Sequence, residues 1–341
     1  MPTSFTIPGL SLKGVVNPFV VELVTRFQAK YINALQGVPS TWADVISGIT
    51  PIGPADLSVK FPIDLSDLGP GMREWIGERH IEDTDLTGFS IEPRKFEKTK
   101  GLDLGLAQAG PVNAMFHAFP TRAVDGITQA ARQMKGLLVA NILKKGATKA
   151  ITYQGIPLFV GSGAATKHFN NPLDEGKGEF YNLYVGRDFD ETNYEELKEE
   201  LETRKGPDGL ASLGLKVTHV LGGTRMGSKF RRLFKPELIA NAGGTATVSN
   251  IFQGDAIPLI APELDDDATV VAGKQVWYLI ATNVMARPVE TLLENGGSPN
   301  ITVFGEESET AKMKGQLIIA GDMKANAGAA FPQTIIRVEG V

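Results

Sequence analysis

Four stretches of the sequence contain residue types that could bind a ligand or catalyse a reaction. Asp265, Asp266 and Asp267 are consecutive carboxylates of the kind that bind cations. The segments GSGAAT at 161–166 and GGTRMGSK at 222–229 contain glycines through which a backbone can approach a phosphate group. Histidine, which can bind a metal or transfer a proton, occurs at His80, His117, His168 and His219.

The spacing of these residues fits none of those sites. No two histidines stand at a metal-ligand separation, so each is expected to be a surface or hydrogen-bonded residue. The three aspartates would point in different directions on an extended chain, which favours a solvated acidic loop over a cation site. Neither glycine-rich segment has the spacing of a phosphate or dinucleotide loop, and Ser162 has the wrong neighbours for a nucleophile elbow. The sequence therefore predicts no catalytic residue, no cofactor and no metal.

Composition narrows the class of protein further. The chain has 341 residues, with 38 glycines, 20 prolines and no cysteine. The glycine and proline content favours many turns and short strands, and the lack of cysteine excludes thiol nucleophiles and cysteine-bound zinc. A net charge of −5 argues against a protein dedicated to nucleic-acid binding. No signal peptide or apolar stretch of about 20 residues is visible, so we expect a protein made in a cytoplasm without a membrane segment.

The elements that would position these residues follow an α+β pattern. Residues 121–145 have an apolar stripe at three-four spacing and end in two lysines and a glycine, which predicts a long spine helix. An acidic helix is predicted over 193–205, with Thr192 and Glu195 as its capping box. A shorter basic helix is predicted over 225–235. The last third of the chain is rich in strands, so helices and strands do not alternate regularly.

The two shorter helices carry opposite charges. Glu195 and Glu199 lie on the acidic helix, and Arg231 and Arg232 lie on the basic one. The basic residues could contact phosphate, form the solvated face of an amphipathic helix, or pair with the acidic helix of a neighbouring subunit. The residues alone leave these three interpretations open.

Residues 55–103 differ in composition and residue pattern from the rest of the chain. Short strand-like pieces alternate with turns marked by glycine and proline, and charges occur throughout. The segment has too few apolar residues to form its own core, and a loop of this length is unusual inside a compact domain. We therefore expect a long β-hairpin that packs on another chain, with Trp75 of MREWIGERH (72–80) in that contact.

The same segment carries a family resemblance. MREWIGERHIEDTDLTGFSIEPRKFEKTKGLDL (72–104) resembles the signature of the Mu-like phage major head subunit family, in its REWIG core and its KFEKT strand. Similar family segments follow in the same order, TYQGIPLF (152–159), ARPVETLL (286–293) and AGDMKANAGAAFPQ (320–333). Gln154 stands where the family usually has aspartate. The resemblance covers most of the chain and is weakest at the N-terminus and in the middle.

The resemblance implies the Hong Kong 97-like phage capsid fold, which is an α+β fold. In that fold an N-terminal arm and an extended hairpin, the E-loop, project from a peripheral domain and an axial domain. The implied boundaries are 1–54 for the arm, 55–104 for the E-loop, 105–185 for the peripheral domain with the spine helix at 121–145, 186–285 for the axial domain, 286–330 for the peripheral return strands, and 331–341 for the axial C-terminal strand.

The resemblance also implies contacts between subunits. The E-loop residues expected in such contacts are Arg73, Glu74, Trp75, Ile76, Glu78 and Arg79. In the axial domain, the charges of Glu195, Glu199, Arg231 and Arg232 are the candidates.

A member of this family would be the major capsid protein of a tailed bacteriophage. It would assemble through pentamers and hexamers into an icosahedral head, in the host bacterial cytoplasm, around double-stranded DNA that it does not read by sequence. Its partners would be copies of itself and scaffolding, portal and decoration proteins, and it would be a structural protein, not an enzyme. The alternatives are an encapsulin-like compartment shell protein and, from a different class, a soluble α+β enzyme or ligand-binding protein that uses the glycine-rich loops.

Overall fold

The computed structural model describes residues 10–13, 41–64, 86–103, 114–169, 178–207, 209, 212–236, 238–240, 247–305 and 308–341. The six E-loop residues predicted to contact a neighbour, and the residues following the first strand up to residue 40, lie outside these ranges.

The strands are β1 (Leu10–Lys13), β2 (Ser47–Ile52), β3 (Val59–Asp64), β4 (Leu86–Ile91), β5 (Arg94–Asp103), β6 (Leu183–Val185), β7 (Val217–Gly222), β8 (Leu238–Ala240), β9 (Thr247–Ser249), β10 (Ile257–Ile260), β11 (Val276–Ala281), β12 (Val289–Glu294), β13 (Asn300–Phe304), β14 (Gln316–Ala329) and β15 (Ile335–Glu339). The α-helices are α1 (Trp42–Ile46), α2 (Ala114–Lys144), α3 (Glu191–Glu202), α4 (Gly227–Phe234), α5 (Ala268–Val271) and α6 (Glu309–Lys314).

A six-stranded sheet is built around β14. Its order is β1-β13-β14-β12-β2, and β5 also pairs with β14. Along β14, buried residues alternate with partly exposed ones, as a strand with one covered face requires. The long helix α2 covers that face.

Helix α2 is the spine helix, and it begins earlier than the sequence predicts. The apolar stripe placed its start at residue 121, but the helix begins at Ala114 and runs through Pro120, a residue without an N–H group. At 31 residues it is about 46 Å long. It approaches β14 closely at Gly321, where any Cβ would overlap the side chain of Ile127.

A five-stranded sheet forms the second layer, in the order β10-β7-β11-β15-β6. Its central strand β11 is buried along its whole length. Trp277 and Leu279 point to the side covered by α3 and α4, whereas Tyr278 and Ile280 point to the core shared with the spine helix. One strand with alternating sides therefore joins the two cores.

Four strands pair with strands outside the segment to which the prediction assigned them. β1 and β2 fall in the predicted arm but pair in parallel with β13 and β12, and β5 falls in the predicted E-loop but pairs with β14 over its whole length. β6 falls in the predicted peripheral domain but pairs with β15 of the five-stranded sheet. Local composition shows that a segment is extended, whereas the sheet that it joins depends on ladder hydrogen bonds to strands distant in sequence.

The base of the hairpin packs on its own chain. β3 and β4 pair in antiparallel register, and the rings of Phe61 and Phe89 stack with centroids 4.9 Å apart. Ile91 is buried in a cluster with Ile52 and Leu292. The expectation that the whole segment packs on another chain is therefore wrong for its base, and it remains a prediction for residues 65–85.

Helix α3 begins with a different cap from the predicted capping box. Asp190, not Thr192, is the N-cap, and its side chain accepts a hydrogen bond from the Asn193 N–H at 2.8 Å. The helix consequently spans 191–202 and not 193–205. Aspartate is as good a capping residue as threonine, so the sequence offered two competing starts.

Candidate assembly surfaces

The described parts of the chain contain no group of three or more histidine or acidic residues placed to hold a metal ion. None of the helices in these parts is both long and apolar enough to cross a membrane. The two histidines whose side chains are described lie in different environments: His168 is buried, and His219 is half-buried beside Thr218.

The three consecutive aspartates hold three different elements in place. Asp265 accepts hydrogen bonds from the backbone N–H and the hydroxyl of Thr224, just before α4. Asp266 forms an ion pair of 2.6 Å with Lys144, the last residue of the spine helix, and that contact holds the pKa of Asp266 below its ordinary value. Asp267 is buried and caps α5 by accepting from the Thr269 N–H. As predicted, the three side chains point in different directions. The prediction that all three are exposed to solvent is wrong for Asp267, which is buried.

Arg337 on β15 is the partner of Asp267, and the sequence analysis missed it. Its Nη1 lies 3.1 Å from Asp267 Oδ2 and also donates to the Leu143 carbonyl at the end of the spine helix. Its other nitrogens donate to Thr269 and Glu339. A charged residue inside the apolar strand IIRVE was the available signal, since an arginine in such a strand needs a buried partner.

A second buried cation supports the segment that leads into β15. Arg204 is 4% exposed and donates to the backbone carbonyls of Tyr181, Gln333 and Ile335. Its guanidinium lies 4.3 Å from the centre of the Phe180 ring. Because the guanidinium lies out of water, burial lowers its pKa to about 10.

His168 contacts Phe180, the same ring that Arg204 contacts. Its ring stacks on Phe180 with centroids 5.0 Å apart, and its Nδ1 is 2.9 Å from the Gln154 side-chain oxygen. Burial, followed by the positive charge of Arg204, lowers the pKa of His168 to about 3. The histidine is therefore neutral at physiological pH. Gln154, which stands where the family usually has aspartate, supplies a neutral partner.

The acidic and basic helices cover the same face of the five-stranded sheet. Tyr194, Leu197 and Leu201 of α3 and Phe230 and Phe234 of α4 are buried in one cluster with Trp277 and Leu279, as their spacing predicts. The Tyr194 and Phe234 rings lie edge to face, with centroids 5.1 Å apart. Most charged residues of both helices consequently point away from the sheet, whereas Glu200 accepts a hydrogen bond from Tyr184 of β6 and Glu202 accepts one from the Val217 N–H of β7.

An acidic groove opens between α3 and the loop that precedes β10. It has a volume of about 370 Å³. Four acidic residues line it, Glu195, Glu199, Glu202 and Asp255, together with Lys198, Thr203, Ile251 and Phe252. Asp255 is compensated by Lys198 at 2.7 Å and by the Tyr194 hydroxyl. Glu195 and Glu199, the predicted acidic contact residues, form no ion pair within the described part of the chain.

The basic face belongs to α4 and its flanking residues. Its five members are all exposed: Arg225, Lys229, Arg231, Arg232 and Lys235. Arg231 donates from Nε to the Gly227 carbonyl on its own helix. No carboxylate among the described residues pairs with any of the five.

These two layers and the long helix form a phage capsid fold. The structure is similar to the capsid of an empty GTA particle, with a TM-score of 0.53 and 10% identity over 89% of this chain and 92% of that one. It is also similar to the capsid of the cyanophage P-SCSP1u, with a TM-score of 0.50 and 9% identity over 89% of this chain and 88% of that one. The predicted Hong Kong 97-like class is thereby confirmed. The procapsid of bacteriophage JBD30 is 19% identical, covering 94% of this chain and 75% of that one, with a TM-score of 0.48.

One part of the chain is similar in sequence to a known family. Residues 20–168 match the model of the family described as Mu-like prophage major head subunit gpT. This match confirms the resemblance inferred from 72–104 and 152–159, whereas 286–293 and 320–333 lie beyond it. Among curated proteins, none matches the chain in sequence.

Proposed function

We propose that this protein is the major capsid protein of a tailed bacteriophage. Two observations together support the proposal. Most of the chain has a capsid fold, and residues 20–168 match major head subunits. A fold alone does not define a function, since one fold can serve several. The family match adds the function that the fold leaves open.

In this proposal the chain acts by assembly. Head-to-tail contacts between unlike surfaces close into rings when the rotation between subunits is right. Pentamers and hexamers formed in this way tile an icosahedral head around double-stranded DNA, in the cytoplasm of the host. The work of the protein is then structural and not catalytic, and scaffolding, portal and decoration proteins are its further partners.

The E-loop would connect neighbouring subunits. Its base is fixed to the subunit by the stacked pair Phe61 and Phe89 and by the buried Ile91. We propose that Trp75 and Ile76, further along the hairpin, are buried mainly by a neighbour. Their charged neighbours Arg73, Glu74, Glu78 and Arg79 would form ion pairs at the rim, each weak alone but able to fix register.

We propose domain roles on the basis of the two sheets. The six-stranded sheet with the long helix α2 would be the peripheral domain, and the five-stranded sheet with α3 and α4 would be the axial domain. Under this assignment the peripheral sheet would include β1 and β2 of the arm segment, and the axial sheet would include β6 and β15.

Electron microscopy of the purified full-length chain tests the proposal. Rings or closed shells, together with a large hydrodynamic size in light scattering, are the expected result. A chain that remains monomeric under all assembly conditions, without particles in micrographs, would overturn the proposal. A monomer whose melting temperature rises with a small ligand would favour a ligand-binding protein or enzyme.

The contents of the particles separate two kinds of shell. A phage head made in infected cells holds double-stranded DNA, whereas an encapsulin-like compartment encloses a cargo enzyme. Nuclease digestion and mass spectrometry of purified particles distinguish these contents. The match of residues 20–168 to head subunits favours DNA.

A further inference from the structure

The acidic groove and the basic face are neighbours on one side of the five-stranded sheet. The loop that precedes β10 lines the groove opposite α3, and the same loop is bonded to the C-terminal end of α4. Its Gly254 N–H donates to the Phe234 carbonyl at 3.1 Å, and its Asn250 side-chain amide donates to the Pro236 carbonyl at 2.8 Å. Lys235 lies between these two carbonyls, so the basic face begins where the groove ends.

Two cations of the basic face point outward beside this loop. Arg232 and Lys235 are both exposed, and their spacing of three residues makes them neighbours on the helix surface. Phe230, Leu233 and Phe234 of the same segment point into the core, so Arg232 and Lys235 point away from it. Neither cation forms an ion pair within the part of the chain that the structure describes.

Ile251 lies between the acidic and the basic residues. It lines the groove together with Glu195 and Glu199, and it follows Asn250, whose side chain is bonded to the end of α4. The residue is 76% exposed, although isoleucine is usually buried. An apolar partner that covered it would gain free energy by removing this area from water. From the groove towards α4, the surface is therefore acidic, then apolar, then basic.

A surface in this order is complementary to a second copy of itself. Rotation by 180° about an axis through the apolar centre places the acidic part of one copy on the basic part of the other. The same rotation brings the two copies of Ile251 together, and such a contact, with one patch on both sides, is isologous. Opposite charges on facing surfaces fix the orientation of the two partners. A nucleic-acid backbone would instead meet the carboxylates next to the cations.

We propose that two copies of the unassembled chain bind each other through this surface, the bipolar patch, which consists of Glu195, Glu199, Arg232, Lys235 and Ile251. In the dimer, the two glutamates of each copy face the two cations of the other. An isologous contact closes at two copies and cannot propagate into a ring. The dimer is therefore distinct from the rings of the proposed function, and it exists before the chain enters a ring.

A single engineered cysteine tests the two-fold contact, because the full-length chain has no cysteine of its own. In Ile251→Cys, the thiols of the two copies would lie beside the axis. Copper phenanthroline, added to the unassembled fraction, takes up the two electrons released when two thiols lose their protons and form a disulfide. The expected product is a covalent dimer and no larger species. In a head-to-tail contact, residue 251 would meet a different residue, and this variant would not cross-link.

Val271→Cys is the matched control. Val271 is 70% exposed and lies on α5, next to Val270, which is buried in the core on the other side of the five-stranded sheet. It should give at least about tenfold less covalent dimer than Ile251→Cys, because only the bound copies hold their thiols at a high effective concentration. Equal cross-linking of both variants would indicate random collision and would overturn the proposal. So would the absence of a dimer in folded Ile251→Cys.

Charge reversal in the Ile251→Cys background identifies the groups that hold the dimer. E195K/E199K makes both ends of the patch positive, and R232E/K235E makes both ends negative. Each should lose at least about tenfold in covalent dimer, because like charges then meet. All four residues are exposed, so both variants should unfold at nearly the wild-type temperature.

A mixture of the two charge variants gives a sharper outcome. One variant carries a tag that changes its size, so that a mixed dimer is resolved by electrophoresis. The positive patch of one variant complements the negative patch of the other, so the mixture should recover cross-linking, and almost all of it as the mixed dimer. If folded variants give no mixed dimer, the charges do not meet and the proposal is overturned.

A second control separates the contact from net charge. K149E/K274E changes the net charge by the same amount as R232E/K235E, at two exposed positions outside the bipolar patch. In the Ile251→Cys background it should cross-link as well as the parent. An equal loss in this control would mean that net charge matters and not the patch, which would overturn the proposal.

The outcomes also separate the dimer from the proposed function. If wild type forms shells and Ile251→Cys does not cross-link, the dimer is excluded while the proposed function stands. If Ile251→Cys gives the dimer and wild type forms no particles under any condition, the proposed function fails while the dimer stands. DNA binding that is lost in R232E/K235E, without any cross-linking in the parent, would assign the cations to phosphate and overturn the dimer.

Discussion

Arg337 and Asp267 form a buried ion pair, in which Arg337 Nη1 lies 3.1 Å from Asp267 Oδ2 and both side chains are almost fully buried. The pair connects β15, at the C-terminal end of the chain, to the N-terminus of α5. Because Arg337 also donates to the Leu143 carbonyl, the pair connects the long helix α2 to the five-stranded sheet. Asp265 and Asp266 add a contact to the start of α4 and another to the spine helix.

Two neighbouring aspartates, Asp266 and Asp267, should differ in their effect on stability. Asp267→Asn should lower the free energy of unfolding by about 3 kcal/mol, because it removes one of the two carboxylates that compensate the buried Arg337 charge, while keeping an oxygen that can cap α5. Asp266→Asn should cost less than about 1 kcal/mol, since its pair with Lys144 is exposed to solvent. Denaturant unfolding of both variants measures the difference. Equal effects would show that the Arg337 pair does not dominate this turn.

His168 should make the subunit less stable in acid. Its folded pKa of about 3 is lower than the ordinary 6.5, so the unfolded chain takes up a proton that the folded chain refuses. The stabilising effect is complete above pH 6.5 and is lost as the pH falls towards 3. The free energy of unfolding should be about 2 kcal/mol lower at pH 5 than at pH 8 from this group alone. Denaturant unfolding at the two pH values measures the change.

Two variants assign that pH dependence to His168. His168→Gln should remove most of it, whereas His219→Gln, at a half-buried position, should remove less. Gln154→Asp should raise the pKa of His168, because a carboxylate 2.9 Å from the ring would favour the protonated form. An unchanged pH profile in His168→Gln would contradict the assignment.

The two tryptophans Trp75 and Trp277 should behave in opposite ways. Trp277 is completely buried against Phe189 in the core between the five-stranded sheet and helices α3 and α4, so Trp277→Ala should lower the free energy of unfolding by about 3–5 kcal/mol. Trp75→Ala should weaken shell assembly more than it weakens the fold of one subunit. Thermal unfolding and particle yield, measured for both variants, separate the two effects. If Trp75→Ala unfolds the subunit, Trp75 belongs to an internal core.

Gly321 should be required for the contact between the spine helix and β14. Gly321→Ala places a Cβ where the Ile127 side chain lies, and the overlap should lower the free energy of unfolding by about 1–3 kcal/mol. Ile127→Ala removes the overlapping atoms and alone should cost about 2–5 kcal/mol. The double variant should lose clearly less than the sum of the two losses. Additive losses in this double-mutant cycle would show that the two positions do not meet.

The sequence by itself determined the local features and indicated a family resemblance. The apolar periodicity of the spine helix, the buried face of α4 and the strand-rich last third could be inferred from residue order, because helix and strand periods are local properties. The REWIG and KFEKT segments pointed to the family that residues 20–168 match. The start of α3 was misplaced because Asp190 and Thr192 are both suitable caps.

Only the tertiary structure decided which distant residues meet. Asp267 and Arg337 lie far apart in the sequence, and nothing local distinguishes Asp267 from its two acidic neighbours until β15 brings Arg337 to it. The pairing of β2, β5 and β6 with strands of other segments could not be predicted from the sequence either. The backbone hydrogen bonds that join two strands form between residues of almost any type. The charges of Glu195 and Arg231 were visible in the sequence. Their placement on the same face of the five-stranded sheet depends on the packing of α3 and α4, which the order of residues does not show.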